Sequence, residues 1–197
     1  MQKTTVIRRS LILLPLLYAC AAPEGLIPKS AAVPAGVDLS GQWKIRPESL
    51  RGQPRINEAI DRTDGVDNRT IMREMKRGRP RNGETSGGLV HVFLETGESL
   101  TITQTPHALF VSFDRAIVEE YRFGENRPVS IGAADAHRVS GWEGGSYVIE
   151  TLGEKGMKLT ERYRLADNND RLIRRITLRS KNLEEVTIVH EFNRQGG

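Results

Sequence analysis

An all-β fold is predicted for this chain: an antiparallel up-and-down barrel of about eight strands, with a short helical or irregular insertion after the first. Two observations predict it. Beyond residue 89 the chain becomes strand-like, and Leu100 and Ile102 point one way while Ser99, Thr101, Thr103 and Thr105 point the other, the period of two that a strand with one wet face requires. The runs are also short and separated by turn-forming residues: Gly124-Glu125-Asn126, Gly144-Gly145, Gly153-Glu154-Lys155-Gly156 and Asp167-Asn168-Asn169-Asp170. Short strands joined by short turns pair with their sequence neighbours as hairpins. Eight or nine of them approach the number at which a meander closes into a barrel. A β-sandwich or an open curved sheet is the alternative.

The elements follow in order. Lys3, Arg8 and Arg9 precede the apolar run from Leu11 to Leu17, the layout of a secretory signal. That run is shorter than the ~20 apolar residues a membrane-crossing helix needs. Leu17-Tyr18-Ala19-Cys20 resembles the lipobox of bacterial lipoproteins. The resemblance implies cleavage after residue 19 and a diacylglyceryl group on the Cys20 sulfur. Cys20 is the single cysteine of the chain, so it has no disulfide partner within its own sequence. Ala21 and Ala22 follow it, which within that family implies sorting to the outer membrane, with the protein facing the periplasm. Residues 20–38, rich in Ala, Pro and Gly, read as a lipidated tether, and residues 39–197 as one β domain.

Within that domain, Trp43 and Ile45 share one face of a first strand. Residues 50–88 form a basic insertion of a different kind. Ile56, Ala59 and Ile60, then Ile71, Met72 and Met75, recur at helical spacings around Asp64-Gly65. Further strands are expected at 107–113, 116–123, 136–142, 146–152, 157–165, 171–179 and 186–193.

Charge sorts along the chain. The formal net charge of the 197 residues is +4, and it falls to +1 once Lys3, Arg8 and Arg9 are removed with the signal. Such near-neutrality gives no support for nucleic-acid binding. Residues 51–81 nevertheless hold nine basic and five acidic side chains. Arg73, Lys76, Arg77, Arg79 and Arg81 are therefore candidates for contact with anionic lipid headgroups near the anchor, against the plainer reading of a solvated loop. The stretch has no aromatic residues on which single-stranded bases would stack.

Gly41-Gln42-Trp43 on the first strand resembles the Gly-x-Trp signature of lipocalins. The resemblance extends to uncharacterised bacterial lipocalin-like proteins through Asp38 to Trp43, Leu100 to Gln104 and Lys158 to Tyr163. It implies that Trp43 closes one end of the barrel and that an arginine late in the last strand, Arg194, packs across it. The length of the 50–88 segment departs from a minimal barrel.

Alternation also selects candidate site residues. Glu161 and Tyr163 share a face with Met157, Leu159 and Leu165; Arg174 shares one with Leu172, Ile176 and Leu178; His190 shares one with Val186, Ile188 and Phe192. Pairing through the Asp167–Asp170 turn puts Tyr163 opposite Arg174 with Glu161 one diagonal step away. These four would give an apolar pocket a few orienting polar groups for a small, partly apolar ligand. The alternative is a satisfied internal network in a filled barrel, in a lipoprotein that acts through its outer surface. His91, His107, His137 and His190 lack metal-ligand spacing. Neither a nucleophile elbow nor a phosphate-cradling glycine loop is present. No cofactor and no catalytic residue is expected, a hydrolase built on Glu161 or His190 being the third reading.

Overall fold

The computed structural model describes residues 25–52, 54, 58, 94, 97–114, 118–131, 134–153, 156–180 and 183–196. The signal segment, Cys20, the basic run Arg73 to Arg81 and most of the 50–88 insertion lie outside the described residues.

Ten strands form one antiparallel sheet: β1 (Gly41–Ile45), β2 (Ser99–Gln104), β3 (Ala108–Phe113), β4 (Val118–Arg122), β5 (Glu125–Ile131), β6 (Ala134–Glu143), β7 (Ser146–Gly153), β8 (Lys158–Ala166), β9 (Arg171–Ser180) and β10 (Leu183–Arg194). A 3-10 turn, Pro47–Gly52, follows β1. Every strand pairs with its sequence neighbours except at one place, between β4 and β5. β1 pairs β10, so the meander rolls up on itself, and β4 and β5 are left as the two edges. The fold is thus an all-β, nearly closed antiparallel barrel with more strands than sequence alone suggests.

The extra strand is β5, read above as turn and connection. Pro128 lies in its middle, and a proline without an N–H cannot serve a central strand. It is tolerated because β5 is an edge that pairs only with β6, where Pro128 faces His137.

Side chains seal the seam between the edges. Ser140 Oγ donates to the Arg122 carbonyl at 2.9 Å, Tyr147 Oη donates to the Tyr121 carbonyl at 3.1 Å, and Glu125 accepts the Arg122 N–H at 3.2 Å. Arg138 reaches Glu119 across the same gap at 3.5 Å. At its Trp43 end the seam is packed by Phe123, Trp142 and Tyr147, whose ring centroids lie 5.3–5.6 Å apart.

From Lys29 onward the segment read above as a tether lies against the barrel as a strap. Ser30 and Trp142 exchange two backbone hydrogen bonds, Val33 and Val37 pack on the core, and Leu39 is fully buried. Lys29, 5% exposed at its side chain, is ion-paired with Glu143 and Glu150 on the outer wall. Gly141 allows this approach: a Cβ there would lie 2.5 Å from the Ser30 carbonyl and 2.9 Å from the Lys29 Cβ, and its φ of +155° favours glycine.

Gly41 plays the matching part in the Gly-x-Trp motif. A Cβ at Gly41 would fall 2.5 Å from Arg194 Nη1. Arg194 pairs with Trp43 in register, and its guanidinium carbon lies 4.2 Å from the indole centroid. It also donates to the Ser40 and Asn169 carbonyls at 2.6 and 2.9 Å, while Trp43 Nε1 donates to the Leu39 carbonyl at 3.2 Å. Strap, tryptophan and arginine together plug one end of the barrel.

Candidate functional site

The turn between β8 and β9 fixes the candidate site. Asp167, Asn168 and Asn169 all take positive φ, which Asp and Asn tolerate better than other non-glycine residues. The hairpin they make sets Tyr163 opposite Arg174 and Glu161 opposite Ile176. Arg174 in turn faces His190 on β10. The four predicted residues are thus brought together on the inner face, and none is more than 3% exposed.

Glu161 Oε2 is the hub. It accepts Arg174 Nε at 2.8 Å, Arg174 Nη2 at 2.5 Å and Tyr163 Oη at 2.9 Å. The guanidinium also faces two rings, with centroids at 4.5 Å for Phe113 and 5.6 Å for Tyr163. Phe113 belongs to β3, so Arg174 reaches the opposite wall and forms a polar floor across the barrel.

Two polar atoms of this floor have no hydrogen-bond partner among the described residues: Arg174 Nη1 and His190 Nε2. A buried polar atom left unpaired costs ~1–3 kcal/mol, so each calls for an acceptor or donor of its own. On one side of the floor lies the plugged half, filled by Trp43, Leu100, Ile149, Leu172 and Phe192. On the other side Leu159, Ile176, Leu178 and Ile188 form a second apolar cluster with Val129, Ala136 and Met157, against which Leu94 packs. Val129 and Ala136 of this cluster also line an open depression of about 460 Å³, together with Pro128, Ser130, Asp135, His137, Leu152 and Gly153.

Burial works against the Arg174 charge, but Glu161 and then Tyr163 more than offset it and raise its pKa. Burial likewise raises Tyr163 well above its ordinary value, so that the phenol remains a hydrogen-bond donor. His190 moves the other way. Burial first, and then the Arg174 charge, push its pKa down to about 4 from 6.5.

The unfolded chain therefore takes up a proton at His190 near pH 6.5 and the folded one only near 4. Between those values the unfolded state binds more protons, so stability falls as pH is lowered through this window and is level above it. The expected loss attributable to His190 between pH 7.5 and 4.5 is roughly 2–3 kcal/mol. Urea denaturation of wild type and His190→Leu at the two pH values measures it. An equal pH dependence in the two proteins would contradict a buried neutral imidazole.

The inner face holds further polar groups that sequence reasoning passed over. Arg138 is 3% exposed and lies 5.0 Å from the Tyr121 ring centroid. Its signal was present, since Ala136, Arg138, Ser140 and Trp142 alternate as one face. Glu125 escaped because it was read as part of a turn.

No family model matches this chain, and no curated protein does. Among solved structures it is similar to a secretory abundant heat soluble protein of Ramazzottius varieornatus, at 10% identity and a TM-score of 0.47, covering 79% of this chain and 94% of that one. It is also similar to the fatty-acid-binding protein of Manduca sexta, at 12% identity and a TM-score of 0.41, covering 79% and 99%. A luciferase domain of Lingulodinium polyedrum matches at 14% identity and a TM-score of 0.47, covering 85% and 45%.

Proposed function

We propose that this protein is a lipid-anchored envelope protein that binds a small, partly apolar ligand inside its barrel, on the side of the polar floor away from Trp43. One observation carries the reading: Arg174 Nη1 and His190 Nε2 are both buried, both without a hydrogen-bond partner among the described residues and both next to an apolar cluster. A ligand with an apolar body would pack on Leu159, Ile176 and Ile188, and a hydrogen-bonding head would satisfy the floor. Most of the contact area of such a ligand is apolar, while a few polar groups orient it.

The anchor in this reading is a diacylglyceryl group on Cys20, and the location is the outer membrane, facing the periplasm. The lipobox resemblance supports both. The basic run Arg73, Lys76, Arg77, Arg79 and Arg81 would then meet anionic headgroups.

Native mass spectrometry of protein purified from its own envelope tests the ligand. A recurrent bound mass is expected, lost in His190→Leu and Arg174→Lys while the melting transition is kept. Wild-type protein that repeatedly shows no bound mass would sink the reading.

A further inference from the structure

The strap fixes how the barrel hangs from its anchor. It reaches the barrel at Lys29 and Ser30, on the outer wall of β6 and β7. Only the nine steps from Cys20 to Lys29 separate the lipidated sulfur from that wall, a reach of at most about 30 Å at ~3.3 Å per residue. Along this segment Ile27 is 70% exposed, the most exposed large apolar side chain among the described residues.

The wall next to the strap is basic. On its outer face Val148 of β7 pairs with Arg162 of β8, and Arg162 pairs with Arg175 of β9. Arg164 follows two positions along β8 on the same face. Like charges set directly opposite one another destabilise a sheet, so the Arg162–Arg175 pair has no folding rationale of its own. Arg162 is held by Glu143. Arg164 and Arg175 are exposed and have no ion-pair partner among the described residues. The described carboxylates on the outer face around this wall, Glu143, Glu150, Glu185 and Glu191, are already engaged by Lys29, Lys158, Arg162, Arg179, Arg46 and Arg171.

We infer that the β8–β9 wall is the membrane-facing side of the protein, its Arg164 and Arg175 resting on anionic phosphate headgroups while Ile27 dips into the interface beside them. The inference rests on the Cys20 anchor proposed above. Strands are spaced ~4.8 Å apart, so the arginines lie about 10 Å or less from the wall where the strap arrives, well within the reach of the anchor. Arginine suits the partner, because its planar fork donates two hydrogen bonds to one phosphate. With this wall down, the axis of the barrel lies along the membrane.

The test uses lipidated protein in vesicles of phosphatidylcholine with about 30% phosphatidylglycerol. Since Cys20 is occupied by lipid, T160C on β8 and T101C on β2, across the barrel, each offer one thiol for a fluorophore. Lipids bearing a headgroup nitroxide are expected to quench the T160C label strongly and the T101C label weakly. Arg164→Gln with Arg175→Gln should reduce the orientational preference about fivefold per charge, on the order of 25-fold together. Equal quenching of the two labels, or no response to the double substitution, overturns the orientation and leaves the anchor standing. An intact mass showing Cys20 without lipid overturns the anchor, and the orientation with it.

Discussion

Glu161→Ala is expected to destabilise the protein by about 3–5 kcal/mol, the cost of leaving one member of a buried ion pair without its partner. Arg174 is 1% exposed, and two of its nitrogens end on Glu161 Oε2. Truncating Glu161 strands that charge between the rings of Phe113 and Tyr163 and removes the acceptor of the Tyr163 hydroxyl. The double variant Glu161→Leu with Arg174→Met should be far less damaged, within about 1–2 kcal/mol of wild type, because apolar side chains of similar volume replace both charges. Chemical denaturation of the three proteins at pH 7.5 measures the difference. A single variant no less stable than the double would mean that the guanidinium finds water or another carboxylate, and that the floor is wetter than its burial indicates.

Trp43→Ala should cost about as much, ~3–5 kcal/mol, the range for removing a large buried aromatic ring. Trp43 is 1% exposed in the cluster that fills the plugged end, and its loss also removes the surface on which Arg194 stacks. Arg194→Ala alone should cost less: the cation–π contact is worth ~0.5–2 kcal/mol, and the carbonyls of Ser40 and Asn169 that it leaves lie near solvent. A double-mutant cycle on the pair should give a coupling of about 0.5–2 kcal/mol. Additive losses would show that the arginine covers the indole without holding it.

These expectations rest on parts of the structure that differ in how far sequence exposes them. The β8–β9 hairpin was legible because two alternating runs flank a turn of four residues, and a one-residue slip would throw every apolar side chain onto the wet face. The meeting of Tyr163, Arg174 and Glu161 follows from that register. β5 was hidden, since Glu125-Asn126-Arg127-Pro128 shows no apolar alternation and Pro128 speaks against a strand. Its edge position, a property of the whole sheet, removes the objection.

The strap was hidden for a related reason. Ala, Pro and Gly from residue 21 onward resemble a linker in composition, yet Ser30 pairs with Trp142, more than a hundred positions away. Ser40-Gly41-Gln42-Trp43 and Ser140-Gly141-Trp142 look alike in sequence. The structure gives their glycines comparable work under a crossing arginine and a crossing strap.

Sequence by itself determined what is local here: the alternation that makes strands, the turns that join them, and so which face each side chain takes, because a strand's period of two is a steric property of consecutive residues. Tertiary structure alone decided what depends on curvature. Rolling the sheet brings Phe113 of β3 against Arg174 of β9 and binds the strap to β6. It also leaves Arg174 Nη1 and His190 Nε2 buried without hydrogen-bond partners among the described residues, since whether a buried polar atom is satisfied depends on neighbours from strands far apart in the chain.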